Sequence, residues 1–194
     1  MEVLGQRQCV REQEVSVQID IRNATLADVD SIRELIDVSV RGLAKGIYTD
    51  DQIERSIRSV FGVDSTLITD GTYFVAAIDG RLAGCGGWSR RKTLFGAGDY
   101  ESSRDDSLLD PQREAARIRA FFIHPSAARK GVGTAILELC ESAALAEGFK
   151  AAEMMATLPG VPLYAARGYG ELERVDVPLD STESIVCIRM RKEL

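Results

Sequence analysis

The segment from residue 116 to residue 134 constrains the fold more than any other part of the chain. Residues Ala116 to Ile123 are mostly apolar, with branched and aromatic side chains, which predicts a strand. His124-Pro125 then indicates a turn, and a basic run with two glycines opens a helix. We expect this helix to span Gly131 to Glu147 and to end at Gly148. A strand, a turn and a helix in this order are typical of an α/β protein.

The turn before this helix has the chemistry of a phosphate site. A helix N-terminus leaves several backbone N–H groups without partners and bears a partial positive charge, so it attracts anions. Gly131 and Gly133 leave room for a pyrophosphate beside the backbone. Arg129 and Lys130 add positive charge, and Thr134 adds a hydroxyl. The run matches neither the Walker pattern nor the dinucleotide fingerprint. Its glycines also suit close strand–helix packing, so from the loop alone both interpretations stay open.

Regular elements are predicted before this unit. Apolar residues alternate with polar ones at positions 15, 17, 19 and 21, which predicts a half-buried strand. Thr25 and Asp28 have the spacing of a capping box and predict a helix start. A second helix is expected from Thr49, with Gln52 as its reciprocal cap. The positions expected to face inward on the three helices are Leu26, Val29, Ile32, Leu35 and Ile36; Ile53, Ile57 and Val60; and Ile136, Leu137, Cys140, Ala144 and Leu145.

Further strands complete the pattern. Asp79-Gly80 predicts the turn of a hairpin whose strands are 72–78 and 81–91. The glycines at 84, 86 and 87 in its second strand indicate a bulge or a close backbone approach. Residues 92–114 form a long acidic segment, which is typical of a functional or mobile loop. The remaining elements are expected at Lys150 to Ala156 (strand), Val161 to Arg167 (helix), and Tyr169 to Pro178 with Ser184 to Arg191 (antiparallel strands).

Composition limits the class of protein. The 194 residues are 45% apolar, and we expect one domain over residues 15–194 after a solvated arm over residues 1–14. The net charge of −6 argues against nucleic-acid binding, because no general basic field would attract phosphates. Four scattered cysteines and one histidine do not predict a metal site. Neither a signal peptide nor a membrane span is expected, so the expected location is the cytoplasm.

Three segments together resemble the GNAT superfamily of N-acetyltransferases. That family has Arg/Gln-x-x-Gly-x-Gly/Ala after an apolar strand that ends in x-Pro, and residues 123–133 follow this order. Here Ala128 occupies the first motif position, and the basic residue is displaced to Arg129. Residues 163–169 are similar to the family's Leu-Tyr-x-x-x-Gly-Phe, and residues 21–28 to its first strand and capped helix. The resemblance covers about residues 19–190.

The resemblance implies both a fold and an activity. The fold is α/β: a mixed, mostly antiparallel twisted sheet with helices on both faces, in which two central parallel strands splay apart around the cofactor. The activity is that of an acetyl-CoA-dependent N-acetyltransferase, in which an amine of a small molecule or a protein attacks the thioester directly. A non-catalytic acyl-CoA-binding sensor and an enzyme with a longer acyl donor stay open as alternatives. Homodimers are common among similar proteins, so a homodimer is a further expectation.

The family's site residues transfer to this chain by motif position. Backbone groups of Phe121, Phe122 and Ile123 would pair with the acetyl carbonyl and the pantetheine amides. Tyr164 would protonate the departing CoA thiolate, and a phenol suits this task because it stays protonated at pH 7. The loop residues that would hold the pyrophosphate are Arg129, Lys130, Gly131, Val132, Gly133 and Thr134.

The acceptor side is less constrained by the sequence. Counting alternate residues back from Ile123 places Arg119 and Arg117 on one face of the strand. Their guanidinium groups would either orient an anionic acceptor or pair with acids between residues 99 and 114. Trp88 would either line the acceptor pocket or pack in the core.

Overall fold

The computed structural model describes residues 18–95 and 105–194. Within these residues seven strands form one sheet, and five α-helices surround it. The strands are β1 (Asp20–Asn23), β2 (Tyr73–Ile78), β3 (Arg81–Ser89), β4 (Ala116–Ile123), β5 (Ala151–Thr157), β6 (Gly170–Pro178) and β7 (Ser184–Glu193). The helices are α1 (Val29–Leu43), α2 (Asp50–Ser59), α3 (Ser65–Thr69), α4 (Val132–Ala146) and α5 (Val161–Ala166).

The sheet is mixed and mostly antiparallel, as predicted. Its strand order is β1-β2-β3-β4-β5-β7-β6, and only β4 and β5 among these neighbours are parallel. Those two strands pair over Ala116–Ala152 and Arg117–Glu153 and then diverge. Two apolar clusters cover the sheet, one beneath α4 and the other beneath α1, α2 and α3. The predicted fold class, including the splayed central strands, is confirmed.

The helix starts follow their capping sequences. The Thr25 N–H donates to Asp28 Oδ2 at 2.8 Å, which closes the predicted capping box. The residues between the two form a 3-10 turn, so Leu26 lies off the apolar stripe of α1 and is 70% exposed. Leu145 is 48% exposed, because it lies about 100° around α4 from the buried Ala144. The inward orientation predicted for these two leucines is wrong.

The second helix begins as predicted, and a third was not foreseen. At the start of α2 the Thr49 N–H donates to Gln52 Oε1 at 3.0 Å, and the Gln52 N–H donates to Thr49 Oγ1 at 3.1 Å. The short helix α3 begins after Asp64, whose carboxylate accepts the Leu67 N–H at 3.3 Å. Five residues are too few to show a helical period, so pattern alone could not predict α3.

The glycines of β3 allow neighbouring groups to approach its backbone. A Cβ on Gly84 would lie 2.7 Å from Val132 of α4, and one on Gly86 would lie 2.6 Å from the ring of Phe121. The pairing with β4 shifts register between Cys85 and Gly87. Both features predicted from these glycines, a bulge and close packing, are therefore present.

Three cysteines fall within the described residues, and all three are buried and unpaired: Cys85, Cys140 and Cys187. The described residues contain no group of side chains suited to a metal ion. They also contain no helix long and apolar enough to cross a bilayer. The expected arm over residues 1–14, the start of the first predicted strand and the middle of the acidic loop lie outside the described residues.

Candidate active site

A cavity of about 890 Å³ lies where β4 and β5 diverge. Its lining residues belong to both apolar clusters, for example Phe121 and Tyr164 on the α4 face, and Phe61 and Phe122 on the α1 face. The cavity therefore passes through the sheet and connects its two faces. It exists because parallel pairing stops after two residues and leaves one edge of β4 without a neighbouring strand.

The side of the cavity beneath α4, which we call the loop side, is formed by the start of that helix. Gly131 is the N-cap and adopts a φ of 87°, and Arg129 is also left-handed at 63°. The first N–H groups of the helix have no acceptor within it and carry partial positive charge. Arg129, Gly131, Val132, Gly133 and Thr134 all line the cavity, whereas Lys130 does not.

The open edge of β4 is held by a contact that the sequence did not predict. The Ile123 N–H donates to Ser39 Oγ of α1 at 3.1 Å, so this amide already has a partner. Nearer the middle of the strand, Ala120 has a φ of 53° and lies at the bulge between the pairs Cys85–Phe122 and Gly87–Arg119. Phe121, Phe122 and Ile123, the strand residues predicted to contact the cofactor, line the cavity. No motif indicates Ser39, because its partner lies 84 residues away.

Tyr164 lies on α5 and lines the cavity with little exposure to solvent, about 7%. Its ring packs edge-on against Phe121, with the ring centroids 6.1 Å apart, and against Tyr169 at 6.0 Å. Phe121 in turn rests on the bare backbone of Gly86. Burial raises the pKa of the Tyr164 hydroxyl above its ordinary value, so the phenol stays protonated at neutral pH.

The opposite side of the cavity is mainly apolar, and we call it the apolar chamber. Its floor contains one ion pair, in which Arg119 Nη2 lies 2.6 Å from Asp64 Oδ2. The two charged side chains are only 3% and 1% exposed. The apolar walls come from α1, from the segments before and after α2, from residue 95 and from β5, and include Leu43, Ile47, Val60, Phe61, Phe95 and Met155.

Two of the residues expected at the acceptor lie elsewhere. Arg117 pairs with Glu153 of β5 at 3.1 Å, and it is absent from the cavity lining. Trp88 is 2% exposed and packs edge-on against Phe149, so it belongs to the core. Both arginines of β4 pair with carboxylates, and among the described residues these partners are Glu153 and Asp64. The structure therefore gives no support to carboxylate recognition by Arg117 and Arg119.

Tyr48 is a second residue that the sequence did not indicate. Its hydroxyl donates to the Val186 carbonyl at 2.5 Å and accepts the Leu158 N–H at 2.9 Å. It thereby joins the connection after α1 to β7 and to the end of β5, and its ring lines the cavity. Burial raises the pKa of this hydroxyl. Its two partners lie more than 100 residues away, and no local pattern could reveal them.

Comparisons with known proteins agree with this architecture. The profile of the Acetyltransferase (GNAT) family matches residues 40–169. A GCN5-related N-acetyltransferase from Rhodopseudomonas palustris is 20% identical, with a TM-score of 0.69 over 94% of this chain and 100% of that one. PaiA N-acetyltransferase from Thermoplasma acidophilum, solved with coenzyme A, is 16% identical, with a TM-score of 0.61 over 91% and 99%. YncA from Salmonella typhimurium, solved with acetyl-CoA, is 16% identical, with a TM-score of 0.59 over 91% and 94%. No curated protein matches the chain significantly.

Proposed function

The chain belongs to the GNAT acetyltransferase family, and we propose that it transfers an acetyl group from acetyl-CoA to an amine by direct attack. The main support is that a single cavity is lined both by the start of α4 and by the buried phenol of Tyr164. The first can hold a pyrophosphate and the second can supply a proton. A sensor that only binds acyl-CoA would need the first feature but not the second.

The start of α4 would bind the diphosphate of the cofactor. The N–H groups of Val132, Gly133 and Thr134 are the donors, since the first turn of a helix offers them no internal acceptor. Arg129 would add positive charge at the same edge of the cavity. Lys130 lies outside the lining and would contribute only through its longer-range field.

The diverging edge of β4 would hold the acyl arm. Strand backbone without a neighbouring strand offers N–H and C=O groups to an extended amide-containing chain. Phe121 and Phe122 line this edge. At Ile123 the N–H already donates to Ser39, so the carbonyl rather than the N–H of this residue would meet the pantetheine arm.

Tyr164 would complete the transfer as a general acid. The unprotonated amine attacks the thioester carbon, a C–N bond forms and the C–S bond breaks. The Tyr164 hydroxyl donates its proton to the departing sulfur, and the proton lost by the amine restores the phenol through solvent. Burial raises the pKa of Tyr164, so the proton is present before the reaction begins.

Calorimetric titration with acetyl-CoA tests the cofactor site. We expect the wild type to bind and Gly131→Glu to lose binding, because a carboxylate would stand among the phosphate donors. Gly131→Ala is the matched control, since it introduces the same strain at a φ of 87° without the charge. It should bind acetyl-CoA more tightly than Gly131→Glu.

Two outcomes would contradict the proposal. A folded, cofactor-free wild type that does not bind acetyl-CoA would remove the donor site. Binding of acetyl-CoA without thiol release in the presence of any amine tested would favour the sensor instead.

A further inference from the structure

The apolar chamber restricts what can be acetylated, and this inference rests on the proposed function. Its walls are apolar side chains drawn from several segments of the chain, among them Leu43, Phe61, Phe95 and Met155. Phe61 and Phe122 pack edge-on with centroids 5.8 Å apart, so the chamber has an aromatic surface. Such a wall favours an apolar ligand, with roughly 25 cal/mol gained per Å² of apolar surface removed from water.

The two charged side chains described in the chamber pair with each other. Among the cavity-lining residues that the structure describes, Asp64 is the only acid, and it is paired with Arg119 at 2.6 Å. The other lining arginines, Arg129 and Arg167, belong to the loop side, and Arg167 pairs there with Glu138. The part of the chamber that the structure describes therefore offers a ligand no charge beyond this pair.

From these two observations we propose that the acceptor is a small primary amine on an aromatic or branched apolar body, with no second charged group. A substrate carboxylate would have to compete with Asp64 for Arg119, and a second ammonium would have to compete with Arg119 for Asp64. Burying a charge without a partner is costly, so each would be disfavoured. The reacting amine must lose its proton before it attacks, and in that uncharged form it needs no carboxylate partner.

Ile47 lies at the edge of the chamber and extends the apolar surface outward. It lines the cavity and is 48% exposed, so its side chain contacts both the chamber and the solvent. It follows Gly46, a left-handed glycine in the connection between α1 and α2. A substrate entering over Ile47 would meet an apolar surface before it reaches the acetyl group.

Two matched pairs of amines test the proposal by thiol release with acetyl-CoA. Phenethylamine and L-phenylalanine differ by a carboxylate, and pentylamine and 1,5-diaminopentane differ by a second amine. The added charge should lower kcat/KM by about 100-fold or more in each pair, and phenethylamine should be the best of the four. The proposal is overturned if either charged member reacts within about 10-fold of its partner, or if none of the four reacts.

A pair of variants tests the role of charge directly. Ile47→Asp places a carboxylate at the edge of the chamber, and Ile47→Asn has the same shape without the charge. In Ile47→Asp the preference for pentylamine over diaminopentane should shrink about 10-fold, whereas in Ile47→Asn it should stay as in the wild type. Equal preferences in the two variants would contradict the proposal.

Ligand binding without cofactor separates this inference from the proposed function. Saturation-transfer NMR on the protein alone should show phenethylamine binding more strongly than L-phenylalanine. If it does, and acetyl-CoA does not bind, only the transferase function is wrong. If acetyl-CoA binds and the protein acetylates L-phenylalanine or 1,5-diaminopentane as well as their partners without the added charge, only the acceptor inference is wrong.

Discussion

The loop side and the apolar chamber are two parts of one cavity, yet they are built in opposite ways. The loop side comes mainly from contiguous chain, residues 129–134, and offers backbone groups. The chamber comes from side chains of segments far apart in sequence, and the two charged side chains described there pair with each other. The first part offers donors fixed by the backbone, and the second a surface set by side chains that meet only in the folded chain.

This difference explains what each part tolerates. Backbone donors at the helix start depend on the left-handed conformation of Gly131 and on the N–H groups that follow it. The chamber depends on which side chains meet, and one altered wall residue changes its shape or charge. Four variants test this contrast, and they are given in order of decreasing expected effect.

The largest effect is expected from Arg119→Met. The substitution leaves the Asp64 carboxylate buried without its partner, which should cost about 3–5 kcal/mol of unfolding free energy. Urea denaturation measures the loss. Arg33→Met is the control, because Arg33 pairs with Asp30 on the surface and its loss should cost less than about 1 kcal/mol. Similar costs in the two variants would show that the buried pair does not stabilise the chamber.

The next largest effect concerns Tyr164→Phe. Loss of the hydroxyl should lower kcat by about 100-fold, because the departing thiolate loses its proton donor. The Kd for acetyl-CoA should stay within about 2-fold, because the start of α4 is unchanged. Steady-state kinetics and calorimetry measure the two quantities. An unchanged kcat would mean that another group or a water molecule, and not Tyr164, protonates the departing thiolate.

A moderate effect is expected from Gly86→Ala. The new Cβ would lie 2.6 Å from the Phe121 ring, so the ring must move, at a cost of about 1–3 kcal/mol. Because that ring packs against Tyr164, kcat should fall as well. Gly170→Ala is the control, since its nearest neighbour is 4.0 Å away. If both variants are equally stable and active, Gly86 does not position the phenol.

The smallest effect is a pH dependence at Asp70. Arg91 donates from Nε to Asp70 Oδ2 at 2.7 Å and from Nη2 to Asp70 Oδ1 at 2.8 Å. These hydrogen bonds hold the pKa of the Asp70 carboxyl below its usual range. A depressed pKa stabilises the fold above the unfolded-state pKa, near 4, and this stabilisation is lost as the pH falls further.

The Asp70→Asn variant measures this contribution. At pH 7 the wild type should be more stable than the variant by about 1 kcal/mol. The difference should shrink between pH 5 and about pH 2. A difference that stays constant over this range would mean that the carboxylate charge has no part in it. Arg91 also donates to the Asp106 carbonyl. The Arg91–Asp70 pair therefore stabilises the segment that carries Leu94 and Phe95, which line the cavity.

Much of the fold could be predicted because its signals are local. Both ends of the strand over residues 116–123 were predicted correctly. The capping boxes at Thr25 and Thr49 correctly indicated where helical turns begin. The inward orientation was predicted wrongly for two leucines, because a shift of one residue changes the face of a helix on which a side chain lies. Leu26 lies in a 3-10 turn, and Leu145 lies one position past the buried stripe. Helix α3 has no period to detect.

The strand, the turn and the glycine-rich helix start were predictable from the sequence, because backbone conformation and capping depend on residues close in the chain. Which side chains line the apolar chamber depends instead on the tertiary fold. Arg119 is paired with Asp64, 55 positions earlier in the chain; Ser39 holds β4; and Tyr48 joins three segments. Such partners are chosen by sheet order and by packing across two faces, so no pattern along the chain specifies them.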